Sequence, residues 1–227
     1  MSCFIDPFHD PLALVRDNTE LVSPVLCPEL RLHLVTHRCP WWTCRPEDLE
    51  VLGIAEPFWG FAWAGGQALA RHLLDHPSLA AGRRVLDFGA GCGIGGLAAA
   101  RAGAASVLAV DIDPVCEVAC RLNAEANGLT MAVETRDLVG EMLDVDLVLA
   151  GDMTYDQELT ERVVAWFILL AGRGVTVLVG DPSRGFLDPV GLERVGCYDA
   201  PADNDAHGQW LRPTAVYRVP AARVLSP

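Results

Sequence analysis

From residue 84 onward, short apolar runs alternate with stretches of helical periodicity. Arg84-Val-Leu-Asp-Phe88, Ser106-Val-Leu-Ala-Val110, Met131–Thr135, Val145–Ala150 and Val175–Val179 read as strands. Helices are expected between them over Ile94–Ala102, Pro114–Asn127 and roughly Gln157–Ala171, with Pro114 opening its helix and Gly128 closing it. An earlier helix is predicted over Gly60–His76, where Ala62, Leu69, Leu73 and Ala70, Leu74 repeat at helical spacing until Pro77 stops it. Apolar strands alternating with helices imply βαβ units and a parallel sheet covered on both faces, a doubly wound α/β fold. A weaker strand near Ala215–Val219, in the tail that also carries Tyr198, is expected at a sheet edge.

The first 56 residues are different. Pro7, Pro11, Pro24, Pro28, Pro40 and Pro46 punctuate them, and only Leu30-Arg-Leu-His-Leu34 alternates strictly enough to predict a short half-buried strand. Residues 1–56 are therefore expected to form an N-terminal extension packed on a main domain at 57–227, the whole being one globular unit.

Composition narrows the function classes. Of 227 residues, 30 are acidic and 17 basic, a net charge of −13, and all 17 basic residues are arginine. With no basic stripe to neutralise phosphates, nucleic acid is excluded as a partner. The longest apolar run, Val163–Gly172, is about half a membrane span and lies between Arg162 and Arg173, which suits a buried helix and no membrane association. Met1–Pro7 shows no charged segment followed by an apolar run, so no signal peptide is expected there. The eight cysteines are scattered through apolar segments, as expected of reduced thiols in a cytoplasmic protein. His33, His37, Cys39 and Cys44 lack a paired Cys-x-x-Cys, and no metal site is assigned to them. Trp41-Trp42 reads as a cover for the core or a contact for a protein partner.

The candidate chemistry begins where the first long strand runs into Asp87-Phe-Gly-Ala-Gly-Cys-Gly-Ile-Gly-Gly96. Glycines here let the backbone turn sharply and let a ligand approach the main chain. Gly91, Gly93 and Gly96 satisfy G-x-G-x-x-G, which admits a nicotinamide dinucleotide and hence an oxidoreductase. Asp111, ending the next strand, is placed to accept from ribose hydroxyls with either cofactor class. Asp87, two positions before Gly89, tips the register toward the first motif of the seven-strand S-adenosylmethionine-dependent methyltransferases, which it resembles.

The resemblance extends over about residues 18–220. Asn18-Thr-Glu-Leu, Pro28–Leu34, Pro57-Phe-Trp-Gly-Phe-Ala-Trp-Ala-Gly-Gly–Arg71, Leu122–Gly128, Ala150-Gly-Asp152 and Gly180-Asp-Pro-Ser-Arg184 are similar to the lysine methyltransferases that act on the electron-transfer flavoprotein β subunit. The resemblance implies a Rossmann-like, mostly parallel seven-stranded sheet, S-adenosyl-L-methionine as cofactor, and a protein substrate, the flavoprotein subunit itself. It also implies cofactor contacts from Trp63, Asp87, Gly89, Gly91, Gly93 and Asp111, with Asp137 near the adenine. The broader group's Asp-x-x-Tyr signature is matched by Asp152-Met-Thr-Tyr155.

Thr154 and Asp156 depart from the close family's Asp-Val-Phe-Tyr-Glu form at this signature, and the departure is expected to alter the acceptor pocket. A small-molecule amine therefore stands as the alternative acceptor, and a cofactor-binding module without turnover as a further reading. Cys92, Cys116 and Cys120 are other departures, near the expected cofactor side.

For transfer to lysine, Asp152 is the expected catalytic carboxylate and Tyr155 the residue that orients the amine. The competing structural reading of Asp152 is the N-cap of the helix starting near Gln157. Trp59 and Trp63 suit either the core or a cationic ligand. Gly65 and Gly66 mark a close backbone approach.

Overall fold

The computed structural model describes residues 10–44, 56–201 and 210–221; Met1–Pro7, Cys3 and Pro46 lie outside them. The strands are β1 (Glu20–Val22), β2 (Leu32–Leu34), β3 (Arg84–Phe88), β4 (Ser106–Asp111), β5 (Ala132–Thr135), β6 (Leu147–Gly151), β7 (Thr176–Asp181), β8 (Glu193–Pro201) and β9 (Leu211–Arg218). The α-helices among the described residues are α1 (Pro11–Asp17), α2 (Ala64–Asp75), α3 (Ile94–Arg101), α4 (Pro114–Asn127) and α5 (Gln157–Gly172).

Seven strands form one sheet in the order β5-β4-β3-β6-β7-β9-β8. β3 to β7 run parallel, and β9 runs antiparallel to both of its neighbours. The order reverses between β3 and β6, and the carboxyl ends beside that switch point are where such sheets bind ligands.

Burial on both faces explains the unbroken apolar strands. Val85, Leu147, Leu149 and Leu178 pack under α2 and α3, with Leu69, Leu73 and Leu97. Their neighbours Leu86, Val148, Ala150 and Val177 point the other way onto Trp166, Phe167 and Leu170 of α5. Helix limits follow local chemistry: Asp113 accepts from the Val115 N–H at 2.8 Å to open α4, and Gly128, at φ +63°, closes it.

Two expectations need correcting. The strand foreseen at Ala215–Val219 is β9, and it is internal; the edge is β8, which carries Tyr198. β8 and β9 form an antiparallel pair in which the later strand inserts beside β7, and the mixed exposure of β8 breaks up the apolar run that would have announced it. The helix foreseen from Gly60 starts at Ala64, because Phe58–Gly60 wind into a 3-10 turn and Phe61 and Trp63 are extended.

The strand foreseen at Leu30–Leu34 is β2, paired antiparallel with β1. Leu30, Leu32 and Leu34 are buried, and the Asn123 side chain of α4 accepts from the His33 N–H at 2.6 Å. The His33 ring lies 3.2 Å from the Thr19 hydroxyl. Trp41 is buried edge-on against Trp59, 5.8 Å between ring centres, so Trp59 belongs to the core under α4 and α1. Cys27, Cys39, Cys92, Cys116 and Cys120 are buried free thiols, whereas Cys197 is exposed. No helix among the described residues is long and apolar enough to cross a membrane.

Candidate active site

The glycine loop leaves β3 and enters α3. Asp87 at the end of β3 is buried and accepts from the Gly96 N–H at 2.7 Å, which holds the first turn of α3 against the strand. Burial pushes its carboxyl up to about 7; the Gly96 N–H works against that rise and the nearby Asp111 charge adds to it. Asp87 thus supports the loop from beneath. Gly89 and Gly91 adopt φ of +66° and +53°, and Gly93 φ +78°, a left-handed succession that side-chain-bearing residues avoid.

Asp111, ending β4, accepts from the Gly91 N–H at 2.9 Å and from the Asp113 N–H at 3.1 Å. It is only partly buried, so its remaining lone pairs are available to a ligand. A Cβ at Gly91 would find nothing nearer than the Phe58 carbonyl at 3.8 Å, so the loop's outer face is open. Ile112, 74% exposed, stands next to Asp111; sequence reasoning missed it, although a large apolar residue directly after the strand-ending acid is a readable signal. Asp137 lies at the surface, where its carboxylate accepts from the Val139 N–H at 2.9 Å and pairs with Arg162 at 3.2 Å.

The second half of the site forms at the ends of β6 and β7. Asp152, with φ +56°, is buried and uses both carboxylate oxygens. One accepts from the Gly66 N–H at 3.0 Å and the other pairs with Arg184 Nη2 at 2.7 Å. Gly66 lies in the first turn of α2, so Asp152 caps that helix from a distant strand. Asp156, not Asp152, caps the following helix, α5, by accepting from the Leu159 N–H at 3.0 Å.

Close packing brings α2 there: a Cβ at Gly65 would lie 2.2 Å from the Gly180 carbonyl oxygen and 2.6 Å from Asp152 Oδ2. The close approach expected of Gly65 is therefore made to the strand ends. The guanidinium of Arg184 also lies 5.8 Å from the centre of the Trp63 ring. Trp63 in turn donates to the Phe58 carbonyl at 2.9 Å, and its ring contacts Phe58 and Phe61.

Phe58 and Tyr155 are about half exposed, with 6.5 Å between their rings. Burial raises the Tyr155 phenol, and the charges of Asp111 and Asp156 raise it further, so the two halves of the site feel each other. They also touch: a Cβ at Gly89 would fall 2.0 Å from Met153 Sδ.

Thr154 is fully buried and donates to Asp181 at 2.8 Å; Asp181 also accepts from the Ser183 N–H at 2.9 Å. The departure at Thr154 therefore lies in the support beneath the site. There a hydroxyl satisfies the buried Asp181 carboxylate, which an aromatic ring cannot do. The sequence assigns no role to Arg184 or Phe58, and to Gly66 only a close backbone approach. The Gly180–Arg184 segment was noticeable as a motif, but nothing local showed that its arginine would reach Asp152.

The profile of the ribosomal protein L11 methyltransferase (PrmA) family matches residues 64–154, the stretch from α2 to the Asp152 turn. A solved protein from Thermoplasma acidophilum is similar in fold, with a TM-score of 0.50 at 17% identity over 66% of this chain and 87% of that one. Among curated proteins, the electron transfer flavoprotein beta subunit lysine methyltransferase of Danio rerio is 39% identical over 212 residues, covering 90% of this chain and 81% of that protein. Its counterpart from Homo sapiens is 40% identical over 185 residues, 80% of this chain and 69% of that protein. With such identity over most of both chains, the chain is a methyltransferase and belongs to the electron transfer flavoprotein beta subunit lysine methyltransferase family.

Proposed function

We propose that this enzyme methylates lysine side chains of a protein, that the acceptor is the electron transfer flavoprotein beta subunit, and that it works in the cytoplasm, where its free thiols stay reduced. The cofactor is S-adenosylmethionine, which when bound supplies an electrophilic methyl group on a sulfonium sulfur.

The residues present suit it. The open face at Gly91, with Gly89 and Gly93 shaping the turn, admits an amino-acid end against main chain. Asp111 holds ribose hydroxyls, and exposed Ile112 offers apolar surface to the purine. Asp87 keeps the loop in place through Gly96, Trp63 borders the cofactor side, and Asp137 serves the adenine edge.

One observation carries the acceptor assignment: a carboxylate and an aromatic face, Asp152 and Trp63, converge on a single cationic group beside the glycine loop. That combination recognises an ammonium. A lysine amine at pH ~7.4 lies three pH units below its pKa of about 10.4, so presenting it neutral costs about 4 kcal/mol. Asp152 offsets part of that cost by accepting an amine N–H, while Tyr155 and Phe58 restrict the amine's direction. Alignment is the larger gain, about 7–11 kcal/mol in favourable intramolecular cases.

Incubation with methyl-labelled S-adenosylmethionine and the flavoprotein subunit tests the reading. Label is expected on subunit lysines and cannot reside on lysine of the enzyme, which has none. Asp152→Asn is expected to lower turnover at least about a hundredfold, on the scale of losing one charge-stabilising group, while cofactor affinity changes little. Label confined to a small-molecule fraction of a lysate would reject the protein acceptor, and full activity in the variant would remove Asp152 from the mechanism.

A further inference from the structure

Arg184 stands where a substrate cation would. Its guanidinium is 2.7 Å from Asp152 Oδ1 and 5.8 Å from the Trp63 ring centre, so one side chain fills both halves of the ammonium-recognising pair. The two contacts fall on different carboxylate oxygens: Arg184 takes Oδ1, and the Gly66 N–H donates to Oδ2. The pair is well shielded, with side-chain exposures of 19% for Arg184 and 9% for Asp152.

The segment that carries Arg184 lies just beyond β7, between two left-handed residues, Ser183 at φ +62° and Gly185 at φ +93°. Ser183 is anchored by Asp181, at 2.9 Å from its N–H, which fixes the base of the turn. Beyond Gly185 the side chains of Phe186 and Val190 are exposed, while Leu187 between them packs against the core.

We infer that Arg184 is a resident stand-in for the acceptor ammonium, and that the lysine of the substrate must displace it from Asp152 and Trp63 before transfer. The inference rests on the proposed role of Asp152 as the amine's seat. Two cations cannot share one carboxylate oxygen and one ring face, and a guanidinium left in place would neutralise the carboxylate that the incoming amine needs. Displacement makes the seat selective. A weakly held cation fails to dislodge Arg184, whereas a lysine presented by a docked protein, with further contacts around Phe58 and Tyr155, succeeds. The apparent affinity for a bare amine is then reduced by the fraction of time the seat is free, about tenfold when Arg184 holds it nine-tenths of the time.

The test uses Nα-acetyl-lysine methylamide as an alkylammonium probe, titrated into the full chain by calorimetry. Arg184→Gln is expected to bind the probe about tenfold more tightly than the wild type, and Arg184→Lys, which keeps a cation in the seat, to stay near the wild type. Equal or weaker binding in Arg184→Gln would overturn the inference and make Arg184 a fixed positioning residue.

If the glutamine variant fails to fold, the wild type still decides: saturating probe should speed exchange of the Arg184 Nε–H and shift the Trp63 indole resonance, assigned by Trp63→Phe. An unmoved Arg184 signal overturns displacement. Because the probe assay needs no acceptor protein, tighter probe binding without protein labelling removes the acceptor assignment alone. Protein labelling without tighter probe binding removes displacement alone.

Discussion

Asp87 sits in the core beneath the glycine loop, accepting from the Gly96 N–H, and burial holds its carboxyl at about 7 against an ordinary 3.8. A raised pKa in the folded state means that the native chain holds a proton the unfolded chain releases. The associated stability is fully present below about pH 4, and it is lost as the pH rises toward and through 7. Each pKa unit of difference is worth about 1.4 kcal/mol, so the rise to about 7 limits this pH-dependent loss to about 4 kcal/mol.

Asp87→Asn keeps the size and an oxygen acceptor for the Gly96 N–H but cannot ionise. Urea unfolding of both proteins at pH 5, 6, 7 and 8 is the assay, and the quantity read is their difference in stability at each pH, in which other titrating groups cancel. The difference should move in favour of the variant as the pH rises, by roughly 2.5–3 kcal/mol between pH 5 and pH 8. A difference that stays constant from pH 5 to 8 would refute the argument that Asp87 is held by burial in its protonated form. Cofactor affinity is the expected counterweight, since a buried acid retained at a cost in stability is characteristic of functional sites.

Asp111→Ala removes the acceptor for the Gly91 N–H and the proposed ribose contact; hydrogen bonds to a charged group are worth about 1.5–3 kcal/mol, so calorimetry should show cofactor binding weakened about tenfold to a hundredfold. Gly65→Ala places a Cβ 2.2 Å from the Gly180 carbonyl oxygen, and the backbone shift this forces should cost about 1–3 kcal/mol, or about 2–12 °C in melting temperature. Gly172→Ala, with nothing within 4 Å, is the control and should melt within a few degrees of the wild type. His72 is buried against the Tyr198 hydroxyl at 2.9 Å, and burial holds its pKa below the ordinary 6.5, with His76 adding to the fall. The folded chain therefore prefers the neutral ring, stability is lost as the pH drops below about 6.5, and an NMR titration placing His72 above 6.5 would contradict this.

The local parts of the site were legible. Asp87, Asp111 and the glycines between them lie on consecutive elements of one strand-turn-helix-strand unit, where short-range rules about turns and strand ends place them. The cap of α4 at Gly128 and the limits of β3 followed in the same way from single residues and apolar runs. Residues with mixed surroundings were harder to read. β8 is exposed along much of its length, so its pattern does not announce a strand, and its pairing with β9 is set by an antiparallel return that no local rule specifies. Thr154, a departure expected to alter the acceptor pocket, is buried and donates to Asp181, a partner far along the chain that no local pattern announces.

By itself, the sequence determined the α/β alternation, the strand that ends in a glycine-rich turn, the acidic residues beside it and the absence of lysine. These depend on backbone preferences and on apolar periodicity, which act over a few residues. Only the tertiary structure decided that Asp152 would cap α2 through Gly66, carry Arg184 on its other oxygen and share that cation with Trp63. Those partners come from α2, β6 and the turn after β7, and their meeting depends on the close packing of Gly65 against the strand ends, a three-dimensional fit that no pattern along the chain encodes.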